Sequence, residues 1–277
     1  DFIKKQKSSQ TDWYQEEYWP RRYSSQRKVD PLIKKCVDEI GVNNSPIFIH
    51  GMSRSGTTLM NALLDVHPDI SMSYELYPNY LTGHGDVIEK PIDFSSLSYL
   101  LRNLSKNDSY NLLQDELEIY QDFIRYLAVA GHSDLSPRDI GNLLREYLKT
   151  YNNIYTYEDS LRFVGVCASL KMNRLGKKVW GAKSQGKFEK YKLVWPESKF
   201  IYMLRDGRDI LASQLNTGNF NPDVEQLAKA WSSKIKSFNN LIKTKEINGF
   251  VVKYEELACN TEDTLKKLFD KLDIKFH

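Results

Sequence analysis

The 277-residue sequence has little cysteine, no long apolar runs and no large excess of charge of either sign. Its three cysteines, Cys36, Cys167 and Cys259, are widely spaced and odd in number, which argues against a disulfide framework or a cysteine metal site. No apolar run approaches the roughly 20 residues that a membrane-spanning helix needs, so we predict no membrane span. The net charge of +3 is too small to indicate a nucleic-acid partner.

The sequence also shows no metal-ligand spacing and no recognisable targeting segment. The five histidines show no metal-ligand spacing, and we predict no bound metal. No signal peptide is recognisable after Asp1. Together with the scattered cysteines, this pattern predicts a cytoplasmic protein, with a lumenal domain that has lost its membrane anchor as the alternative.

A strand, a glycine-containing turn and a helix follow one another in the stretch that organises the chain. Ile47–Ile49 is a short apolar run, Gly51–Gly56 is the turn, and an amphipathic helix is predicted over Thr57–Val66. Backbone N–H groups and the positive end of the helix dipole make such a helix N-terminus an anion site. Arg54 adds a planar cation suited to phosphate oxygens.

The turn lacks the lysine of the nucleoside-triphosphate P-loop. Gly51 and Gly56 have the spacing of G-x-x-x-x-G-K-[ST], but Thr57 occupies the lysine position. This counts against ATP or GTP hydrolysis, although an arginine followed by Ser-Gly-Thr-Thr can still hold one terminal phosphate. An ordinary strand-to-helix turn is the alternative for this motif taken alone.

A second strand-turn-helix unit occurs later in the chain. Lys199–Leu204 is predicted as a buried strand, and Arg205-Asp206-Gly207-Arg208-Asp209 leads directly into a helix that contains Ser213. Each of the two units brings arginine and hydroxyl groups to the end of a strand. The pair therefore predicts a ligand with two separate anionic groups.

Two charged residues follow other predicted short strands. Glu75 lies just beyond Asp69–Ser73, and Lys183 closes Val179–Ala182. Ligands of open α/β sheets bind beyond the carboxyl ends of the strands, so we expect Glu75 to lie near the loop that carries Arg54. A carboxylate beside an anion site is useful as a base, and a surface glutamate in a turn is the alternative.

The remaining pattern predicts an α/β fold. Residues 1–45 form an N-terminal arm with a short helix at Pro31–Ile40, and residues 46–277 form one domain with a mainly parallel central sheet flanked by helices. Residues 81–174 are predicted as a helical insertion that packs over one side of the sheet, where a pocket for a second substrate, the acceptor, is expected. Further predicted elements are helices at Leu112–Ala130, Arg138–Tyr155 and Val224–Ile247, a strand at Gly249–Tyr254, a turn at Glu255–Leu257 and a last helix from Thr261.

Taken together, these motifs resemble the sulfotransferases that use 3′-phosphoadenosine 5′-phosphosulfate (PAPS), nearest to the group that includes tyrosylprotein, bacterial and carbohydrate enzymes. Gly51–Thr58 resembles the 5′-phosphosulfate loop of that family, and Arg205 with Ser213 resembles its 3′-phosphate motif. The segments His67-Pro68-Asp69-Ile70 and Val252-Lys253-Tyr254-Glu255-Glu256-Leu257 also resemble family motifs. Their order and separation fit from about residue 46 to residue 274.

The resemblance implies a role for each matching residue. The 5′-phosphosulfate would be held by Arg54, Ser55, Gly56, Thr57 and Thr58, the 3′-phosphate by Arg205 and Ser213, and the nucleotide by Tyr254. Glu75 would be the catalytic base, and Lys183 with Arg54 would stabilise the transition state. The implied reaction moves a sulfuryl group from PAPS to a hydroxyl group, releases 3′-phosphoadenosine 5′-phosphate (PAP) and needs no metal.

Two departures from related enzymes narrow the prediction. The loop lacks the lysine of the cytosolic aryl and steroid sulfotransferases, and no counterpart of their catalytic histidine is found, which favours glutamate as the base. The acceptor stays open among small-molecule, glycan and peptide hydroxyl groups. A P-loop-type small-molecule kinase and a non-catalytic nucleotide-binding protein on the same fold are the alternatives.

Overall fold

The computed structural model of the chain describes residues 30–40, 45–82, 87–92, 126–127, 129–184, 186–217 and 223–277. The chain divides into two compact units. We call Asp1–Val42 with Leu76–Arg174 the helical unit, and Asn43–Glu75 with Leu175–His277 the sheet unit. Every residue that the sequence analysis assigns to phosphate binding or catalysis belongs to the sheet unit.

Helices and strands alternate along most of the described chain. The strands are β1 (Ile47–Gly51), β2 (Ile70–Ser73), β3 (Val87–Ile92), β4 (Ile154–Thr156), β5 (Val179–Lys183), β6 (Lys199–Leu204) and β7 (Asn248–Lys253). The helices with defined bounds are α1 (Pro31–Asp38), α2 (Thr57–Asp65), α3 (Asn79–Thr82), α4 (Pro137–Tyr151), α5 (Tyr157–Arg174), α6 (Phe188–Val194), α7 (Gly207–Thr217), α8 (Val224–Lys243), α9 (Tyr254–Cys259) and α10 (Thr261–Leu272).

A five-stranded parallel sheet forms the centre of the sheet unit. Its strand order is β2-β5-β1-β6-β7, and every neighbouring pair is parallel. The apolar run Ile47–Ile49 is fully buried, as the central strand of a parallel sheet must be. Because the strands are parallel, the segments that carry Arg54, Glu75, Lys183 and Arg205 all leave the sheet at the same edge.

Different side chains cover the two faces of this sheet. Aliphatic residues of β1, β2 and β6 pack with Met60 and Leu64 of α2 and with the apolar side of α10. On the other face, Phe48 makes ring contacts with centroid distances from 4.6 to 5.8 Å, to Trp180, Tyr191, Trp195 and Phe200. Such aromatic pairs contribute about 0.5–1.5 kcal/mol each beyond their buried area, so β1 is held firmly from both faces.

The helical unit contains α1, α3, α4, α5 and the antiparallel pair β3 and β4. Asp30 caps α1, and Ser136 forms a capping box with Asp139 at the start of α4. Arg174 at the end of α5 lies 3.6 Å from the Asp30 carboxylate and 2.6 Å from that of Asp139. This one guanidinium group therefore joins the N-termini of two helices to the end of a third.

The described part of the chain contains no helix long and apolar enough to cross a lipid bilayer. All three cysteines are free thiols. Cys36 and Cys167 are buried, and Cys259 is exposed.

The predicted α/β fold with a mainly parallel central sheet flanked by helices is confirmed. The predicted strand Lys199–Leu204 coincides with β6, and α1, α2 and α10 begin at the predicted residues. These elements have strong local signals, since an apolar run bounded by charged residues, or an amphipathic segment that follows a turn residue, leaves few alternatives.

Several predicted bounds are wrong. The helix predicted over Arg138–Tyr155 ends at Tyr151, because Asn152 adopts a positive φ of 67° and β4 follows. Residues 81–174 contain β3 and β4, so this segment is not entirely helical. The strand predicted to reach Tyr254 ends one residue earlier, and the turn predicted at Glu255–Leu257 is part of α9. The long helix α8 ends at Lys243, four residues before its predicted end.

Other predictions are not tested by the structure. Residues 1–29 of the predicted arm and residues 112–125 and 128 of a predicted helix lie outside the described residues. The domain boundary between residues 45 and 46 stays a prediction. The placement of residues 81–174 over the acceptor side also stays a prediction.

Candidate functional site

The loop between β1 and α2 has an unusual backbone. Arg54 and Gly56 adopt left-handed conformations with φ of 71° and 92°. For arginine this conformation costs about 1 kcal/mol, and such strain is concentrated at functional sites. Within the described chain no side-chain oxygen caps α2 at Gly56, and the buried Ser55 Oγ has no hydrogen-bond partner. The first-turn N–H groups and the helix dipole are therefore available to an anion.

Both glycines of the loop are required by close packing. A Cβ atom at Gly51 would lie 2.9 Å from the backbone oxygen of Met203 in β6. A Cβ atom at Gly56 would lie 2.4 Å from Cδ2 of Tyr254. The G-x-x-x-x-G spacing thus lets the loop approach β6 on one side and the start of α9 on the other.

Thr58, Glu75 and Lys183 meet where β2 and β5 end. The Lys183 side chain is 7% exposed, and its Nζ donates to Glu75 Oε1 at 2.7 Å and to Thr58 Oγ1 at 3.1 Å. A buried ammonium group needs such partners to offset its loss of hydration. Glu75 has a positive φ of 45°, and its side chain is 29% exposed. The structure therefore brings together the predicted base, the predicted stabilising lysine and the loop.

Tyr74, which the sequence analysis did not single out, belongs to the same cluster. Its hydroxyl group makes hydrogen bonds with Thr58 and Glu75, and Lys183 Nζ lies 4.9 Å from the centroid of its ring. Burial, followed by the charge of Glu75, raises the pKa of Tyr74 above its usual value, so the phenol is protonated at neutral pH. The signal in the sequence is only its position, next to Glu75 at the end of a predicted strand.

Arg54, Arg205, Ser213 and Tyr254 form a second cluster. Arg54 Nε donates to Ser213 Oγ at 3.0 Å, and Arg205 Nη1 donates to the backbone oxygen of Arg54 at 2.9 Å. The Arg205 guanidinium group lies 4.4 Å above the ring of Tyr254, and that ring packs on Gly56. The two predicted phosphate motifs, 151 residues apart at the Arg54–Arg205 contact, are therefore in direct contact.

An open cavity of about 330 Å³ lies beside this second cluster. Arg54, Arg205 and Ser213 line it, together with Asp209 and Asn216 of α7. Two guanidinium groups and one carboxylate give the cavity a positive lining. Arg205 Nε is buried and has no hydrogen-bond partner among the described residues, which costs about 1–3 kcal/mol unless a ligand accepts the bond. This donor set fits a phosphate group.

Two residues outside the predicted site hold the segment that follows β6. Trp231 Nε1 donates to the backbone oxygen of Arg205 at 2.9 Å, and the backbone N–H of Asp206 donates to Glu255 Oε1 at 2.9 Å. The sequence predicts Glu255 only as part of the turn after β7 and does not signal this contact. Arg208, the second arginine of the motif that begins at Arg205, pairs with the Asp206 carboxylate at 2.6 Å. It is not among the residues that line the cavity.

His50, near the end of β1, is hydrogen-bonded to the residue that follows β5. Its ring is buried and donates through Nδ1 to the backbone oxygen of Ser184, at 3.1 Å. The pKa of His50 is lowered from 6.5 to about 4, mainly by burial, which the Ser184 bond opposes and the charge of Lys234 reinforces. The folded protein therefore keeps His50 neutral at pH values where the unfolded chain is protonated.

We expect this histidine to make the protein less stable as the pH falls. Above pH 6.5 His50 is neutral in both states, whereas between pH 6.5 and about 4 only the unfolded state binds the proton, so the unfolding free energy falls. The loss should reach about 3 kcal/mol relative to His50→Gln, measured by urea unfolding across this range. Equal pH dependence in the two proteins would contradict this assignment.

Among the described residues, no group of three or more His, Cys, Asp or Glu side chains is placed to hold a metal ion.

Sequence comparison relates this chain to sulfotransferases. The model of the sulfotransferase family matches residues 46–277. A protein-tyrosine sulfotransferase of Drosophila melanogaster is 25% identical over 242 residues, which cover 83% of this chain and 38% of that protein. Protein-tyrosine sulfotransferase A of Caenorhabditis elegans is 24% identical over 236 residues, which cover 82% and 50%. The chain spans between 38% and 66% of the length of the curated relatives that it matches.

Solved sulfotransferase structures match as well. The sulfotransferase STF1 from Mycobacterium tuberculosis H37Rv has a TM-score of 0.48 at 15% identity, covering 89% of this chain and 73% of that chain. The sulfotransferase domain of the Synechococcus PCC 7002 olefin synthase has a TM-score of 0.47 at 15% identity, covering 85% and 76%. The family match over residues 46–277 includes both predicted phosphate motifs, Glu75 and Lys183, and the chain therefore belongs to the sulfotransferase family.

Proposed function

We propose that this chain transfers a sulfuryl group from PAPS to a hydroxyl group. The observation that carries the proposal is the direct contact between the two phosphate motifs, through Arg205 to the Arg54 backbone and from Arg54 to Ser213. One ligand can then place one anionic group at the first turn of α2 and a second in the cavity beside Arg205. PAPS and PAP carry anionic groups at both the 5′ and the 3′ positions, and so meet this requirement.

The chemistry assigned to Glu75 is that of a general base. As the acceptor oxygen bonds to sulfur, its proton passes to the Glu75 carboxylate, and the bond from sulfur to the phosphate oxygen breaks with its electron pair going to PAP. The side chain of Glu75 is partly exposed, so an acceptor can approach it. Positioning of the two reactants supplies much of the rate gain in such a displacement.

The role assigned to Lys183 is stabilisation of the charge that develops on the leaving oxygen. Its ammonium group is within hydrogen-bond distance of both Glu75 and Thr58, and Thr58 belongs to the first turn of α2. A buried cation next to helix N–H groups stabilises a developing anion more than the ground state. A sulfuryl group carries less charge than a phosphoryl group, so the proposed reaction needs no metal.

We propose the hydroxyl group of a peptide or protein tyrosine as the acceptor class to test first. The support comes from the matched proteins of Drosophila melanogaster and Caenorhabditis elegans, which are named protein-tyrosine sulfotransferases and align with 83% and 82% of this chain. Small-molecule and glycan hydroxyl groups form the comparison set, because the sequence analysis left them open.

The alternatives are less well supported. A kinase would need a lysine at Thr57 and an aspartate free to bind Mg²⁺, whereas the Asp206 carboxylate is paired with Arg208 at 2.6 Å. A non-catalytic nucleotide-binding protein would have no use for a carboxylate and a buried lysine in contact beside the loop.

PAP should stabilise the protein against thermal unfolding more than other nucleotides do. At 100 times its dissociation constant, a ligand adds about 2.7 kcal/mol to the unfolding free energy. The measurement is a thermal-shift titration with PAP, with AMP and with ATP or ADP plus Mg²⁺. Stabilisation by ATP alone would favour the kinase, and no response to any nucleotide would favour a non-nucleotide role.

A further inference from the structure

Four side chains where β2 and β5 end form a closed ring of hydrogen bonds. Lys183 Nζ donates to Glu75 Oε1 at 2.7 Å and to Thr58 Oγ1 at 3.1 Å. The Tyr74 hydroxyl group completes the ring through its bonds with Glu75 and Thr58. Because an ionised carboxylate only accepts, Tyr74 donates to Glu75, and the Thr58 hydroxyl, which accepts from Lys183, donates to Tyr74.

Glu75 needs such contacts because its backbone is strained. Its φ of 45° lies in the left-handed region, which costs a non-glycine residue about 1 kcal/mol and persists only when the surroundings hold it. Two of the groups that hold its side chain are the Lys183 ammonium and the Tyr74 hydroxyl. If Lys183 turns towards the leaving oxygen during transfer, Tyr74 still holds the carboxylate.

We infer that Tyr74 is a positioning residue, which keeps the Glu75 carboxylate aligned with the first turn of α2 while Lys183 changes partner. This inference rests on the proposed function, in which Glu75 receives the proton of the acceptor. Thr58 lies in the first turn of α2, directly after the loop proposed to hold the 5′-phosphosulfate. Its hydroxyl group therefore links the orientation of Glu75 to the binding of PAPS at that loop. The Tyr74 ring also lies under Lys183, at 4.9 Å, and Tyr74→Phe removes the hydroxyl group but keeps this contact.

Crystal structures of Lys183→Met and of Lys183→Met with Tyr74→Phe test the inference without any ligand or acceptor. In the single variant we expect Glu75 to keep its positive φ and its bond to Tyr74. In the double variant we expect the Glu75 carboxylate to move away from the position that it holds in the wild type. A carboxylate already displaced in the single variant, or unmoved in the double variant, would overturn the inference.

Turnover provides the functional readout. Tyr74→Phe should lower kcat for transfer from PAPS to a tyrosine peptide by roughly tenfold, the effect of one hydrogen bond to a charged group, with the KM for PAPS within about a factor of two. In a Glu75→Gln background the same substitution should change kcat little, because Tyr74 acts through Glu75. The same loss in both backgrounds would show a merely structural role and overturn the inference.

Tyr202→Phe is the matched control, since it removes a buried hydroxyl group from β6 in the same unit and should leave kcat unchanged. Failure of the wild-type protein to bind PAP would count against the proposed function instead. The two Lys183→Met structures would then decide the inference about Tyr74 by themselves.

Discussion

Replacing Glu75 with glutamine should lower kcat for sulfuryl transfer by roughly 10²- to 10⁴-fold, the range typical of a lost general base. Glutamine has the same shape and can still accept the bond that Lys183 Nζ donates at 2.7 Å, but it cannot take up the acceptor proton. PAP affinity should change by no more than about a factor of two, because none of the contacts within the cluster proposed for the 3′-phosphate involves Glu75. The measurements are kcat at saturating PAPS and the Kd of PAP by calorimetry.

A matched carboxylate tests whether this effect is specific. Glu262 pairs with Lys266 at 2.6 Å on the exposed side of α10. Glu262→Gln therefore also removes a carboxylate charge that is paired with a lysine. We expect its kcat to stay within about a factor of two of the wild type, as for other surface ion pairs. A Glu75→Gln protein that keeps more than about a tenth of the wild-type turnover would be inconsistent with a general base at this position.

Replacing Arg205 with alanine should weaken PAP binding by about 30- to 150-fold, which corresponds to about 2–3 kcal/mol. Arg205 lines the cavity, stacks on Tyr254 at 4.4 Å and has a buried Nε donor without a partner in the described chain. A 3′-phosphate would accept this donor and neutralise the guanidinium charge. The measurement is the Kd of PAP for the wild type and the variant.

Two controls separate loss of the phosphate contact from damage to the loop. AMP lacks the 3′-phosphate, so its Kd should change by no more than about threefold in Arg205→Ala. Arg208→Ala should bind PAP normally, because the Arg208 side chain is 91% exposed and pairs with Asp206. Equal losses for PAP and AMP would mean that Arg205 supports the loop through the Arg54 backbone, and would contradict its assignment to the 3′-phosphate.

The elements that carry the site could be predicted because their local requirements are strict. Gly56 must adopt φ of 92° and accommodate the Tyr254 ring, and both needs leave glycine as the only suitable residue. Lys199–Leu204 is a buried apolar run between charged residues, and its observed bounds are those predicted. The shared edge of Glu75, Lys183 and the loop then follows from parallel strand order.

The directions of side chains beyond the strand ends could not be predicted, because they depend on tertiary packing. The assignment of Arg54 to the 5′-phosphosulfate stays a prediction, and no sequence pattern signals the bond that Arg54 Nε donates to Ser213 Oγ. Glu75, the hydrogen-bond partner of Tyr74, has a positive φ of 45° that no sequence pattern signals at a glutamate. In the helical unit, the three-residue strand β4 is too short to interrupt a helical periodicity.

Transfer of radiolabelled sulfur from PAPS is the most direct test of the proposed function. Wild-type protein is incubated with sulfur-labelled PAPS and a tyrosine peptide, its phenylalanine version, and a panel of small-molecule and glycan hydroxyl compounds. We expect a labelled tyrosine peptide, an unlabelled phenylalanine peptide and release of PAP in equal amount. If no compound in the panel is labelled from PAPS, while the γ-phosphate of ATP does label one of them, sulfuryl transfer is contradicted and the kinase takes its place.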